Sequence, residues 1–409
     1  MGKEDSSLRI LQIAPFVPYP PNFGGAMGIF NITKHLALRG HAVHLCYPSP
    51  NGDAPPVELL KFCTAKAIPS NTGHSPFKLL AAQFGSTPYM VRKYANRSFA
   101  EAIRAECAAF RPDIVHVDYP MMAQFALPLR KEFGIPVVLR EHDIETKLFE
   151  RMAVNERNPV MRIFLNSEYR RMRKYEPAIA RQFDRCVTTT PNDEAELKRL
   201  AVESGLTIEN TAAIPAGVEI PGLFESANGN GNRNVLWIAN LEWKPNVDGF
   251  LWFYREILPL LVRSNPDVIV SVVGRGKSSA LASIRDQHVR FIGQVDDVGS
   301  YLRDADVCIV PLRTGSGVRI KILEMFAHAK AVVSTSVGAE GIDAKNGEHL
   351  LIVDDPREFA SAVSSLLADT TRRRVLGKNG RALVEAKYDW REIASQFEDL
   401  YRSCLAANR

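Results

Sequence analysis

Short β-type runs alternate with helical stretches along this chain; the alternation stops once and then restarts. Strand, helix, strand in regular succession requires parallel strands joined by crossover helices that cover both faces of a sheet. In the first run, 8–14, 42–47, 112–117, 136–140 and 185–190 read as strands, and 26–38, 98–110, 121–133 and a long polar stretch at 159–183 as helices. In the second, strands are read at 234–239, 268–273, 289–292, 307–311, 331–334 and 350–353. Helices are read there at 247–262, 298–303, 318–329, 356–367 and 370–386. Between the runs lies a tract of Gly, Asn and Ser (226–234) that cannot bury a core and reads as an exposed connection. The expected fold class is therefore α/β, two Rossmann-like doubly wound parallel-sheet domains in tandem.

At 409 residues the chain exceeds one comfortable core, which agrees with two domains. The longest apolar runs are strand-sized, far short of the roughly 20 residues that span a bilayer. The polar first nine residues lead straight into a strand, so no signal peptide is read. Six cysteines (46, 63, 107, 186, 308, 404) have no CxxC spacing and read as reduced core thiols of a cytoplasmic protein. The net charge of +5 sits wholly in residues 1–216, with 27 Lys/Arg against 22 Asp/Glu; the rest balances at 24 against 24. Such a bias fits an anionic ligand or membrane surface and is too small to favour nucleic acid. Residues 162–185 hold seven basic and three acidic residues, a basic stripe if helical. A solvated face is its default reading; contact with anionic lipid headgroups, peripheral at the inner membrane face, is the alternative.

The most specific stretch is Pro311-Leu-Arg-Thr-Gly315-Ser316-Gly317-Val318-Arg319-Ile-Lys321-Ile-Leu-Glu324, which follows a strand and opens a helix. Ligands of open α/β sheets bind at such strand ends. Gly315 and Gly317 would let backbone N–H groups approach an anion, and the helix dipole favours negative charge there. Arg319 and Lys321 would add cations for a diphosphate, and Glu324 would accept hydrogen bonds from a ribose. A Gly-rich turn with surface ion pairs is the equally weighted alternative.

Gly24-Gly25, between the first strand and first helix, is either a second close-approach loop or a tight turn. Arg275, between two glycines at a strand end, would reach a ligand. His142 lies just past the strand 136–140, and Glu141 and Asp143 would raise its pKa if close in space. There is no dinucleotide-binding glycine fingerprint and no Walker lysine loop. The Asp pairs 296–297 and 354–355 lack metal-ligand spacing and read as turns or helix caps. The histidines are dispersed, so no metal site is expected.

The second half resembles the retaining glycosyltransferases of family 4, the group 1 glycosyltransferases of GT-B fold. The resemblance rests on Trp237-Ile-Ala-Asn240, Lys244-Pro-Asn-Val-Asp-Gly249, Val272-Val-Gly-Arg-Gly276, Phe291-Ile-Gly-Gln-Val295, Lys321-Ile-Leu-Glu324, Gly338-Ala-Glu-Gly341 and Tyr388-Asp-Trp390. In the first half Gly24-Gly25, Glu141-His-Asp143 and Pro215-Ala-Gly-Val218 are similar to the family's patterns in the same order. The resemblance implies two domains facing a cleft: an acceptor domain (1–216, with 387–409 packing back on it) and a donor domain (217–386). It implies transfer of a sugar from a nucleoside diphosphate sugar to a carbohydrate or lipid-linked acceptor in polysaccharide or glycolipid assembly, without metal or other cofactor, by a monomer or weak dimer. Glu324 would hold the ribose, and Arg319, Lys321 and Arg275 would lie near the diphosphate. Backbone around Val295 would read the nucleobase, His142 would sit by the transferred sugar, and Gly24-Gly25 near the phosphates and acceptor.

Two departures matter. The family often carries a second glutamate separated by seven residues from Glu324's counterpart, and on the N-terminal side this position falls on Ser316. Contacts to the sugar hydroxyls would then come from amides at 315–318. The family's Arg and Lys after the domain's first strand fall on Asn240 and, displaced, Lys244, which puts more weight on Arg319 and Lys321. A nucleotide-sugar epimerase, a sugar phosphorylase or a catalytically silent sugar-nucleotide binder remain the alternatives.

Overall fold

A computed structural model describes residues 7–21, 23–73, 85–156, 158–222, 233–276, 278–295, 297–314 and 318–408. The chain divides into two compact units: Met1–Ala216 with Trp390–Arg409, and Gly217–Asp389. Most of the Gly/Asn/Ser tract lies outside the described residues.

In the first unit β1 (Arg9–Ile13), β2 (Ala42–Ser49), β3 (Thr64–Pro69), β4 (Ile114–Asp118), β5 (Val137–Glu141), β6 (Arg185–Thr188) and β7 (Thr211–Ala213) form one sheet in the order β3-β2-β1-β4-β5-β6-β7. Every neighbouring pair is parallel, with Ile10 opposite both Val43 and Ile114, and Leu139 opposite Cys186. Alternate side chains feed two cores, as the pleat requires. Leu11, Val115, Val117, Val137 and Leu139 pack with Phe99, Phe125 and Leu197 on one face. Ile10, Val43, Leu45, Val138 and Val187 pack on the other with Ile29, Ile32 and Leu36 of the helix Gly24–Leu38. The last helix, Trp390–Ala407, joins that second core through Trp390, Ile393, Phe397 and Tyr401, all fully or nearly fully buried. Each such side chain contributes about 1.5–3 kcal/mol of burial, enough to fix the chain's end to this unit.

The second unit repeats the plan with β8 (Asn234–Ile238), β9 (Ile269–Val273), β10 (Val289–Gly293), β11 (Val307–Val310), β12 (Val332–Ser334) and β13 (Leu351–Ile352), ordered β10-β9-β8-β11-β12-β13 and again parallel throughout. Trp237, Val270 and Ile309 face a core under Phe250, Phe253 and Phe359, while Leu236, Cys308 and Val310 face Ile322, Leu323 and Phe326. The stretch read as one helix at 247–262 is Lys244–Trp252 and Leu258–Ser264 joined by a π-helical turn at Phe253–Ile257. Residues 388 and 389 stay with this unit: Val218 N–H donates to the Tyr388 carbonyl at 2.6 Å, and Asp343 N–H donates to the Tyr388 hydroxyl at 2.9 Å.

In both sheets the strand order reverses once, between β1 and β4 and between β8 and β11. At such a switch point the following loops diverge to opposite faces and leave a crevice at the carboxyl ends of the two strands.

Candidate functional site

At the second unit's switch point, the segment after β11 delivers two cations onto the segment after β8. Arg319 caps the helix Ile320–Ala327 from outside, 6 % exposed, its guanidinium carbon 5.6 Å from the centroid of the Trp243 ring. Lys321 donates from Nζ to Asn246 Oδ1 at 3.1 Å, and Asn246 Nδ2 donates to the Asn240 carbonyl at 2.8 Å. Burial, with Arg319 alongside, pulls the Lys321 ammonium down to about 7. One turn on, burial pushes the Glu324 carboxyl up to about 7 against the pull of Lys321. A third cation, Arg275 after β9, has Nε 3.7 Å from the Glu242 carboxylate of the loop after β8. Gly274 before it holds φ +145°, and a Cβ there would lie 1.9 Å from the Ala239 carbonyl oxygen, so only glycine lets the loops after β8 and β9 touch. Val295, after β10, is half-buried against the second core.

The helix starts at Ile320, later than the expected 318, because Val318 and Arg319 form a turn: Ile320 N–H donates to the Val318 carbonyl and Ile322 N–H to that of Arg319. Those two amides are thus turned back on the chain, which corrects the reading that the helix start as a whole offers its amides to an anion. Gly315, Ser316 and Gly317 lie outside the described residues. Lys244 is exposed at the first position of its helix.

The first unit's switch point carries His142. Its Nε2 stands 2.8 Å from Asp118 Oδ1 at the end of β4, and its ring stacks on Tyr119 at 4.3 Å and 7°. Asp118 is completely buried and also accepts from Gln12 Nε2 at 2.7 Å. Burial opposes its ionisation, yet His116 and His142 hold it well below the usual carboxylate range. A carboxylate only accepts, so His142 Nε2 carries the hydrogen and donates. Burial and the neighbouring Arg140 hold the His142 imidazole down to about 4, so it is neutral near pH 7 with an acceptor lone pair on Nδ1. This corrects the expectation that Glu141 and Asp143 raise it. Glu141 is buried with Glu176 and Glu145, where burial and these carboxyls push its pKa well above the usual carboxylate range; the charged partner of His142 is Asp118.

Behind His142 the network reaches the last helix. His116 Nδ1 lies 2.6 Å from the Tyr401 hydroxyl and Nε2 3.4 Å from Asp118 Oδ1. Arg140, fully buried, donates from Nη1 to the Gly28 carbonyl at 3.0 Å and lies over the rings of Phe397 and Trp390, 5.3 and 5.9 Å from their centroids. Gly24 and Gly25 open the helix after β1. A Cβ on Gly25 would meet the Tyr119 hydroxyl at 2.2 Å, so the second glycine is needed for packing between the β1 and β4 loops.

Tyr119, Asp118, Asn246 and Trp243 were not assigned roles from sequence. Asp118 was findable: it closes the strand-like stretch 114–117 as His142 follows the strand-like stretch 137–141. The two Asp pairs behave as expected where described, Asp297 accepting from Gly299 N–H and Asp355 from the amides of Arg357 and Glu358. Among the described residues no group of three His, Cys, Asp or Glu side chains is placed to hold a metal. All six cysteines are buried and free.

Comparison with known proteins agrees with this geometry. The sequence profile described as Glycosyltransferase Family 4 matches residues 24–220, and that described as Glycosyl transferases group 1 matches residues 232–369. The chain belongs to the group 1, family 4 glycosyltransferases. It is a glycosyltransferase by family, and its two-domain fold of parallel sheets is the GT-B type. It is similar to the phosphatidyl-myo-inositol mannosyltransferase of Mycobacterium tuberculosis, 32% identical over 205 residues, or 46% of this chain and 53% of that protein, so the match spans about half of that relative. Sucrose-phosphate synthase from Thermosynechococcus elongatus shares the fold over 98% of this chain and 100% of its own, with a TM-score of 0.72 and 21% identity. Anabaena HepE in complex with UDP does so over 97% and 100%, with a TM-score of 0.68 and 14% identity.

Proposed function

We propose that this glycosyltransferase moves a sugar from a nucleoside diphosphate sugar to a hydroxyl acceptor, with retention at the anomeric carbon and without a metal cofactor. One observation carries the reading: both cations after β11 are held onto the loop and helix after β8, Arg319 over Trp243 and Lys321 on Asn246, where the strand order reverses. Cleavage of the sugar–phosphate bond leaves negative charge on the diphosphate, and cations already fixed in place stabilise it without reorganising. Glu324 accepts from the ribose, Arg275 adds charge at the diphosphate, and backbone near Val295 meets the base. Gly24-Gly25 and neutral His142 serve the transferred sugar, His142 accepting a hydroxyl hydrogen at Nδ1. The acceptor oxygen attacks from the face the diphosphate leaves. A new C–O bond forms as the old one breaks, and the hydroxyl proton passes to a diphosphate oxygen. The mycobacterial relative, named as acting on phosphatidyl-myo-inositol, supports a lipid-linked or carbohydrate acceptor.

Calorimetric titration with UDP, GDP and ADP, followed by NMR of the product from the matching sugar nucleotide, tests this. The expected result is binding of one nucleotide and a product of unchanged anomeric configuration. Inversion overturns the retaining step, and conversion of the donor with no acceptor present points to an epimerase.

A further inference from the structure

Two packed helices, Glu145–Asn155 and Pro159–Ala180, form a hairpin in the first unit held by Phe149, Ala153, Leu165 and Met172. Beyond that small core, the last turn of the first helix and the first turn of the second carry exposed aliphatic side chains on either side of a polar turn that includes Asn155, Glu156 and Asn158. Met152, Val154, Val160, Met161 and Ile163 are 45, 78, 76, 47 and 70% exposed, within twelve residues of sequence. Scattered exposed apolar residues are ordinary, whereas a contiguous group marks a surface that something covers.

The charge beside the tip says what. Arg162, Arg170 and Lys174 are exposed on the second helix and, with exposed Asn166, form one row at i, i+4 spacing. At 1.5 Å per residue the row runs back about 18 Å from the tip. Of the other basic residues in the stripe, Arg171 and Arg173 are committed to ion pairs with Glu168 and Glu203. The helix's carboxylates, Glu168 and Glu176, are fully buried, Glu176 accepting from the amides of Glu145 and Thr146. On the rest of the hairpin Glu145 is buried, and Glu150 and Glu156 are the opposing charges nearer the surface. Aliphatic side chains at a tip with a cationic row behind them match the depth profile of an anionic bilayer, acyl chains beneath phosphate headgroups. The tip presents no aromatic anchor of the kind that dominates protein interfaces. Among the described residues no helix is long and apolar enough to cross a membrane, so the contact is at the surface.

We propose that the 152–163 tip inserts shallowly into an anionic lipid surface, with Arg162, Arg170 and Lys174 at the headgroups. This does not rest on the transfer chemistry. The test is co-sedimentation of the full chain with vesicles of phosphatidylcholine alone or mixed equally with phosphatidylglycerol. The expected result is binding at least about tenfold stronger to the anionic vesicles, lost about tenfold in a Val160→Ser, Ile163→Ser variant. An Arg162→Gln, Arg170→Gln, Lys174→Gln variant is expected to lose the preference for anionic lipid. All five side chains are exposed, so both variants keep the wild-type melting temperature and nucleotide affinity. Absence of wild-type binding to anionic vesicles, or full binding by the Val160/Ile163 variant, overturns the proposal. So does a wild-type dimer that this variant dissociates, which would assign the tip to a second copy of the chain.

Discussion

Lys321 Nζ and Asn246 Oδ1 stand 3.1 Å apart, a hydrogen bond that joins the helix after β11 to the helix after β8. Asn246 completes the link by donating to the Asn240 carbonyl. The cation is thus positioned before any anion arrives, by a neutral amide that adds no charge of its own. Asn246→Ala removes one neutral–charged hydrogen bond and is expected to weaken nucleoside diphosphate binding about fivefold, roughly 1 kcal/mol. Asn246→Asp places a competing anion at the ammonium and is expected to weaken binding more than alanine does. Calorimetry of both variants reads the order; tighter binding by the aspartate variant would remove Lys321 from the diphosphate.

Protonation of Lys321 gives a second expectation. With its ammonium held down to about 7, it sheds its proton as pH rises through that value, and a bound diphosphate restores it. Nucleoside diphosphate binding above pH 7 therefore takes up protons, and affinity falls by up to about tenfold per pH unit between roughly pH 7 and 9. Titrations in buffers of different ionisation enthalpy measure the uptake. Lys321→Arg, charged throughout, is expected to abolish it.

His142 contributes to acid stability. Its imidazole titrates near 4 in the fold against 6.5 unfolded, so on acidification the unfolded chain binds the proton first. The contribution is complete above pH 6.5 and is lost as pH falls toward 4, at most about 3 kcal/mol. Urea midpoints at pH 7 and 5 should therefore diverge more in the wild type than in His142→Phe. An equal pH dependence in both would mean that His142 is charged in the fold.

Gly25 and Tyr119 form a steric pair across the loops after β1 and β4. Gly25→Ala drives a Cβ into the Tyr119 hydroxyl and is expected to cost about 1–3 kcal/mol. Adding Tyr119→Phe removes the clashing atom, and the double variant should recover more than half of the loss in thermal unfolding. No recovery would place the strain elsewhere.

The two sheets were legible because strands buried on both faces read as unbroken apolar runs, as in 137–139 and 307–310. Edge strands broke the pattern: β3 carries Lys66 and β7 is three half-buried residues, Thr211–Ala213, so neither reads as a strand. The helix Pro191–Glu203 escaped notice, although Thr190 accepting from Asp193 N–H and Pro191 at the first position are ordinary start signals. The cations of the site were legible because a glycine-flanked strand end announces them. Their partners were not. Trp243 and Asn246 are some 75 residues away in sequence, and only the crossover from β8 to β11 brings them together.

The most direct test of the central claim is calorimetric titration of the preferred nucleoside diphosphate into an Arg319→Ala, Lys321→Ala variant, with sugar transfer assayed alongside. Two charge-assisted contacts are worth roughly 3–6 kcal/mol. Affinity is therefore expected to fall at least about a hundredfold and transfer to vanish, with secondary structure retained. Wild-type affinity with undiminished transfer would contradict the assignment of the diphosphate to the end of β11.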